Sequence, residues 1–200
     1  MPFVDDETVI SHLETPTLLI AMPRVLDPFF HKSVVLLIEH QPAGALGLII
    51  NSPTGVSVGE MLSAVDINWK GDRSAKIHLG GPVQTHVGTM LLGDAAPDER
   101  IDMASIEIHP RIRLSQNLPL LTELMDELPA QIKIFLGYAG WGPGQLDTEL
   151  ERNDWLLAPV DPDLVFATES PKIWEAALTL LGIRPDSLPG IHVTEPDEAN

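Results

Sequence analysis

The sequence predicts an α+β protein built around one large mixed sheet, and three observations carry that prediction. Short apolar runs of strand length recur at residues 18–22, 33–39, 44–51 and 131–138. Apolar residues at helical spacing occupy residues 118–128 and the stretch after Ser170. The two kinds of segment alternate irregularly, without the strand–helix–strand rhythm of a doubly wound layer.

The elements follow in chain order. Residues 1–17 are polar and acidic, with no long apolar stretch, and read as a loosely held segment rather than a signal peptide. Leu18-Leu-Ile-Ala-Met22 is a buried strand stopped by Pro23, and Asp27-Pro-Phe-Phe30 is a turn carrying an apolar plug. Residues 33–39 and 44–51 are strands joined by the short, turn-forming His40-Gln-Pro-Ala-Gly44, which predicts an antiparallel hairpin. Within it Gly44 and Gly47 suggest a bulge or a close backbone approach. Ser57 with Glu60 three residues on is a capping box, opening a helix over 58–65. Residues 76–79 form a short strand that ends at Gly80-Gly81-Pro82, a sharp reversal. Residues 86–92 are a strand containing Gly88, and the alternation over 101–109 predicts half-buried strands.

In the second half, Leu118, Leu121, Leu124, Met125 and Leu128 share one helical face, closed off by Pro129. Residues 131–138 return as a strand, and 145–153 read as a helix with acidic residues suited to its first turns. Residues 155–158 and 164–167 are short strands. Ser170 caps a last helix, with Pro171 at its first position, Gly182 as its stop, and Ile173, Trp174, Ala177, Leu178 and Leu181 turned inward. The domain therefore spans 18–188, and 189–200 form an acidic tail.

Composition narrows the function classes. The 200 residues carry 29 acidic and 12 basic side chains, a formal charge of −17. Nucleic-acid affinity comes largely from cations neutralising phosphates, so direct DNA binding is disfavoured. Arg111 with Arg113, and Lys70 with Arg73, are the nearest approach to basic clusters. There is no cysteine, which excludes disulfides, thiolate metal sites and a cysteine nucleophile. No apolar run reaches the roughly 20 residues of a membrane span, so a cytoplasmic protein without membrane contact is expected.

Four glycines, two aromatics and a proline crowd into Gly137-Tyr-Ala-Gly-Trp-Gly-Pro-Gly-Gln-Leu146, between a strand and a helix. Such a loop can pack tightly, or hold an anion on helix N-terminal amides near Gly144 and Gln145. It lacks the Gly-Lys-Ser/Thr of a P-loop, and Pro143 removes one donor. Glu39 and His40 could form an acid–base pair, but neighbours on a strand point to opposite faces unless the strand ends there. No His-Glu-x-x-His, His-x-His or EF-hand pattern occurs, so no metal is expected, and none of the glycine motifs has a serine at an elbow position.

Four segments taken together carry a family resemblance. They are Leu19-Ile-Ala-Met-Pro23 with Asp27, Pro28, Phe30 and Ser33; Glu39-His40 with Gly44-Ala-Leu-Gly-Leu48 and Asn51; Gly80-Gly-Pro-Val83; and Gly137-Tyr-Ala-Gly-Trp141 with Gly144-Gln-Leu146, Glu149 and Trp155-Leu156. In this order the chain resembles the bacterial AlgH/YqgE family over about residues 12–193. Two departures stand out: Ile38 occupies a position where members often carry cysteine, and Gly190-Ile191-His192 replaces a terminal Gly-His-Ala. The resemblance implies an α+β fold whose bifurcated mixed sheet includes a small barrel and is flanked by helices. The family name implies a role in regulating transcription of alginate synthesis genes, and brings no established activity, cofactor or catalytic residues.

The leading expectation is a binding or regulatory protein that influences transcription indirectly, through a protein partner or a small ligand. The alternative is an enzyme or small-ligand-binding protein with a pocket formed by Glu39, His40, Asn51, Gly80, Gly81, Tyr138, Trp141, Gly144 and Gln145. A third class, an interaction module, rests on Trp69, which sits in a polar stretch, whereas Trp155 and Trp174 fit core positions.

Overall fold

The computed structural model describes residues 13–64, 72–94, 99–117 and 131–188. Trp69, the expected helix at 118–128, residues 1–12 and the tail at 189–200 lie outside the described residues.

In chain order the described elements are β1 (Thr17–Ala21), β2 (Val34–Gln41), β3 (Gly44–Ile49), β4 (Pro53–Ser57), α1 (Val58–Ala64), β5 (Lys76–Leu79), β6 (Val83–Gly93), α2 (Glu99–Ala104), β7 (Ile106–His109), β8 (Ile112–Ser115), β9 (Gln131–Trp141), α3 (Gln145–Glu151), β10 (Trp155–Ala158), α4 (Pro162–Phe166) and α5 (Ile173–Leu180). The strands form one curled, half-barrel sheet in the order β10-β1-β2-β3-β9-β6-β8-β7, with β5 and β4 branching from β9. The β5–β9 pair is parallel and the other pairings among the described residues are antiparallel, so the sheet is mixed.

The branch point is β9. Its early residues pair on both edges, Phe135 with His78 of β5 and with Thr89 of β6. Its last residues, Ala139 to Trp141, pair instead with β3. One strand thus belongs to two sub-sheets, and its terminus is the seam between them.

Burial explains why β1 and β2 read as continuous apolar runs: both of their faces are covered. Leu18, Ile20, Val34, Leu36 and Leu48 pack with Leu164, Val165, Trp174 and Leu178 of the C-terminal helices. Leu19, Ala21, Val35, Leu37 and Ile49 pack on the opposite face with Trp141, Leu146 and Trp155. The second sub-sheet has its own cluster, in which Val58 and Leu62 of α1 meet Ile77, Met90 and Ile134. Trp174 ties the helical layer to the sheet by donating its indole N–H to the Ala21 carbonyl at 2.9 Å.

Local signals acted as expected in several places. Glu60 accepts from the Ser57 backbone N–H at 2.8 Å while Ser57 Oγ accepts from the Glu60 N–H at 3.2 Å, the reciprocal capping box. The β2–β3 hairpin is antiparallel. The Asp27 turn closes through Phe30 N–H to the Asp27 carbonyl and delivers the Phe30 ring to the tryptophan cluster.

Three expectations need correction. Residues 164–166 belong to a helix, α4, with Ala167 as its C-cap, because Asp161 caps its start, accepting from the N–H groups of Asp163 and Leu164, and Pro162 opens it. Residues 101–104 belong to α2, where Glu99 and Asp102 sit in the first turn, and only 106–109 form a strand. Ser170 does not cap the last helix: it lies inside a 3-10 turn, Ser170–Lys172, whose cap is Glu169, and its Oγ sits 2.9 Å from His78 Nε2. Strands β4 and β8 were not foreseen.

Candidate functional site

Register at the seam determines which side chains meet. Pairing through β2, β3 and β9 sets up adjacent rows: Leu37–Gly47–Ala139, then Glu39–Leu46–Gly140, then His40–Ala45–Trp141. The register slips between Leu37 and Glu39, leaving Ile38 as an extra residue. Leu37 faces the tryptophan cluster and Ile38 faces the helical layer. After the bulge Glu39 keeps to the side of Ile38, in step with Leu46 and Leu48, and His40 returns to the side of Trp141. Glu39 is exposed and His40 is buried. The two are therefore separated by the sheet and do not act on one atom.

On the Trp141 face the polar side chains bond to one another. His40 Nδ1 accepts from the Leu13 N–H at 3.0 Å, so the ring proton sits on Nε2, 3.0 Å from Asp147 Oδ1. Glu149 Oε2 accepts from both indoles, Trp141 at 2.9 Å and Trp155 at 2.8 Å, and its Oε1 accepts from Gln145 at 3.0 Å. Gln145 in turn accepts from the Gly142 N–H at 3.1 Å, which folds the loop back onto α3. Trp141, Trp155 and Phe30 pack with ring centroids 5.8–6.1 Å apart. At that spacing the rings fill the space between them, so the cluster is a plug rather than an aromatic cage. A cavity of about 490 Å³ borders the cluster, lined by Phe30, Trp141, Gln145, Glu149 and Trp155 and rimmed by Arg24, Asp27, Arg152 and Asp154. Asp154 bonds both arginines, at 3.2 Å and 3.0 Å.

The helix start was expected as an anion platform. Gly144 is its left-handed N-cap residue, the Gln145 N–H donates to the Gly142 carbonyl, and the acidic Asp147 stands in the first turn. Those groups serve the turn and His40.

The opposite face is open. Glu39, Gln41, Leu46, Val83, Tyr138 and Gly140 line a recess of about 400 Å³, with Ala45 and Trp141 of the neighbouring row at its edge. Gly140 keeps it open, because a Cβ there would sit 3.2 Å from Tyr138 Cε2. Glu39 makes no hydrogen bond or ion pair with the described residues, unlike Asp147, Glu149 and Asp154 on the other side.

The remaining expected residues sit elsewhere. Asn51 accepts from the Val34 N–H and donates to the Lys32 carbonyl, both at 2.9 Å, tying β3 to the start of β2. It borders a third recess of about 300 Å³ with Lys32, Ser33 and Ser170. Gly80 and Gly81 weld β5 and β6 to β9: the Gly80 carbonyl accepts from Ile49 N–H at 2.8 Å and its N–H donates to the Leu136 carbonyl at 2.9 Å. Gly81 has φ +154, and a Cβ there would lie 2.2 Å from the Tyr138 carbonyl carbon. Of the nine expected site residues, Glu39, Tyr138 and Trp141 share one recess, Gln145 joins Trp141 at the larger cavity, Asn51 borders the third, and His40, Gly80, Gly81 and Gly144 line none of them.

Beneath the third recess, burial and the nearby Lys133 ammonium push His78 down to about 4, and burial pushes Lys133 down to about 8. Among the described residues no group of three or more His, Asp or Glu side chains is placed to hold a metal ion. Sequence reasoning missed Asp147 and Glu149 as partners of His40 and Trp141. The helical spacing of Gln145 and Glu149, four apart and just after Trp141, was the available signal.

Comparison with known proteins accords with this architecture. The AlgH-like family model matches residues 18–186. A UPF0301 protein of Ruegeria pomeroyi is 40% identical over 172 residues, covering 84% of this chain and 92% of the relative. One of Burkholderia vietnamiensis is 38% identical over 182 residues, covering 88% and 92%. The solution structure of the AlgH protein from Pseudomonas aeruginosa superposes with a TM-score of 0.70 at 32% identity, covering 92% of this chain and 94% of that one. A crystal structure of a Corynebacterium diphtheriae protein, at 24% identity and a TM-score of 0.69 over 86% and 90% of the two chains, shares the fold. By the family match over residues 18–186 and these relatives, the chain belongs to the AlgH-like family.

Proposed function

We propose that the protein acts by binding rather than by catalysis, in the cytoplasm, and influences transcription indirectly through a partner. The observation that carries this reading is the state of the acid–base groups on the Trp141 face. His40, Asp147 and Glu149, with Asp27 and Asp154 at the cavity rim, could move a proton there, and each is already bonded within the fold. A general base needs hydrogen-bond access to a substrate proton. Glu149 already accepts three hydrogen bonds, two of them from indoles packed against each other. The charge of −17 supports an indirect role, since DNA would meet a repulsive surface.

Two measurements test this reading. In a gel-shift assay at physiological salt the protein is expected to leave DNA unretarded; sequence-selective retention that survives competitor DNA would overturn the indirect role. Incubation of the 15N-labelled protein with a cell extract is expected to move the peaks of the β9 terminus, with the bound molecule recovered unchanged. Recovery of a chemically converted molecule would establish an enzyme instead.

A further inference from the structure

The open face carries an inference that rests on the binding reading and adds the chemistry of the partner. We propose that the recess over Gly140 receives an arginine or lysine side chain from a basic segment of a partner protein. Four observations converge on it.

The first is Glu39. The bulge at Ile38 turns it away from the tryptophan cluster and onto the exposed side. It makes no hydrogen bond or ion pair with the described residues, and it stands at a recess wall rather than on an open convex surface. A carboxylate in that position presents acceptors shaped for a guanidinium or ammonium group.

The second is what faces it. Row pairing puts Glu39, Leu46 and Gly140 side by side, and Tyr138, two residues before Gly140, shares their face. Gly140 has no side chain to cover the Tyr138 ring, which is half-buried at the recess wall. An aromatic face beside a carboxylate favours cations twice, by charge and by ring quadrupole.

The third is the apolar lining. Ala43, Leu46 and Val83 border the recess, together with Ala45 and Trp141 from the neighbouring row. They suit the methylene stem of a long basic side chain, which buries its carbons while its charged head meets the carboxylate. The recess volume of about 400 Å³ exceeds what a lone amine fills and leaves room for neighbouring backbone.

The fourth is the field. A net charge of −17 attracts basic partners and speeds their encounter.

The test uses the full chain, 15N-labelled, in 150 mM salt. The probes are a nine-residue Gly/Ser peptide with one central arginine, the same peptide with citrulline, and free agmatine. The arginine peptide is expected to shift the amides of Glu39, Tyr138 and Gly140 saturably. Citrulline and Glu39→Gln are each expected to weaken it about tenfold, the loss typical of one charge-assisted hydrogen bond, and Gly140→Ala, whose methyl group would meet the Tyr138 ring, is expected to weaken it as well. Glu39→Asp is expected to retain part of the affinity. Equal binding of arginine and citrulline peptides, or unchanged binding to the Glu39→Gln protein, would overturn the proposal. Agmatine binding as tightly as the peptide would overturn the assignment to a protein segment. A cell-extract ligand that shifts the Trp141 and Trp155 indoles while the arginine peptide moves nothing at Glu39 would sink this inference and leave the general binding reading standing.

Discussion

Two faces of one strand end can be compared within this molecule. On one side of the β9 terminus, the row His40–Ala45–Trp141 closes into a set of bonded side chains. On the other, the row Glu39–Leu46–Gly140 borders an open recess in which the carboxylate has no partner among the described residues. The rows are adjacent in sequence and share a backbone. What differs is side-chain completeness: the first has Trp141 and α3 to satisfy its polar atoms, and the second has a glycine where a covering side chain would stand. Conspicuous residues such as His40 and Trp141 are therefore bonded within the fold, and the plainer Glu39 has no bonded partner among the described residues.

The largest expected effect comes from breaking the strand shared by both faces. Gly81→Ala forces a Cβ against the Tyr138 backbone at φ +154. A loss of about 4 kcal/mol or more in urea unfolding is expected, from steric overlap and backbone strain together. A melting temperature equal to that of the wild type would show that the seam yields easily and that the two faces are less coupled than their pairing suggests.

Next is a change confined to the closed face. Glu149→Ala leaves two indole N–H groups without their acceptor. A destabilisation of about 3 kcal/mol is expected, the cost of stranding partly buried donors of a charged acceptor. Chemical denaturation with tryptophan fluorescence measures it, and a loss under about 0.5 kcal/mol would mean that water replaces the carboxylate and the face is not closed.

A residue on neither face supplies the pH baseline. His78 is 5% exposed and is held at about 4 against an ordinary 6.5. Below pH 6.5 the unfolded chain takes up this proton before the folded one does, so stability is full above that value and falls as pH drops toward 4. The fall amounts to roughly 2–3 kcal/mol. In His78→Gln this part of the stability–pH curve should be absent; an unchanged slope would place its origin elsewhere.

The smallest expected effect is at the open face. Glu39→Gln should alter stability by no more than about 0.5 kcal/mol, as for an exposed side chain without partners. A larger loss would reveal a structural role for Glu39 and erase the contrast between the faces.

Much of the fold was legible because its signals are local. The capping box of Ser57 and Glu60, the Asp27 turn and the β2–β3 hairpin each depend on residues within a few positions, where sequence spacing and geometry coincide. The errors were local too, where periodicity is too short to decide: residues 164–167 read as a strand until the Asp161 cap is weighed with Pro162. The general opposition of Glu39 and His40 followed from strand alternation, and the family followed from ordered motifs. Which of the two faces the tryptophans did not. That depends on the extra residue at Ile38 and on β9 pairing with β3 from about a hundred residues away. A single-residue slip reverses every side chain beyond it, and strand register is set by non-local pairing and burial. The sequence by itself thus determined most of the elements, the family and the net charge of −17; only the tertiary structure decided that Glu149 is spent on two indoles while Glu39 has no bonded partner among the described residues.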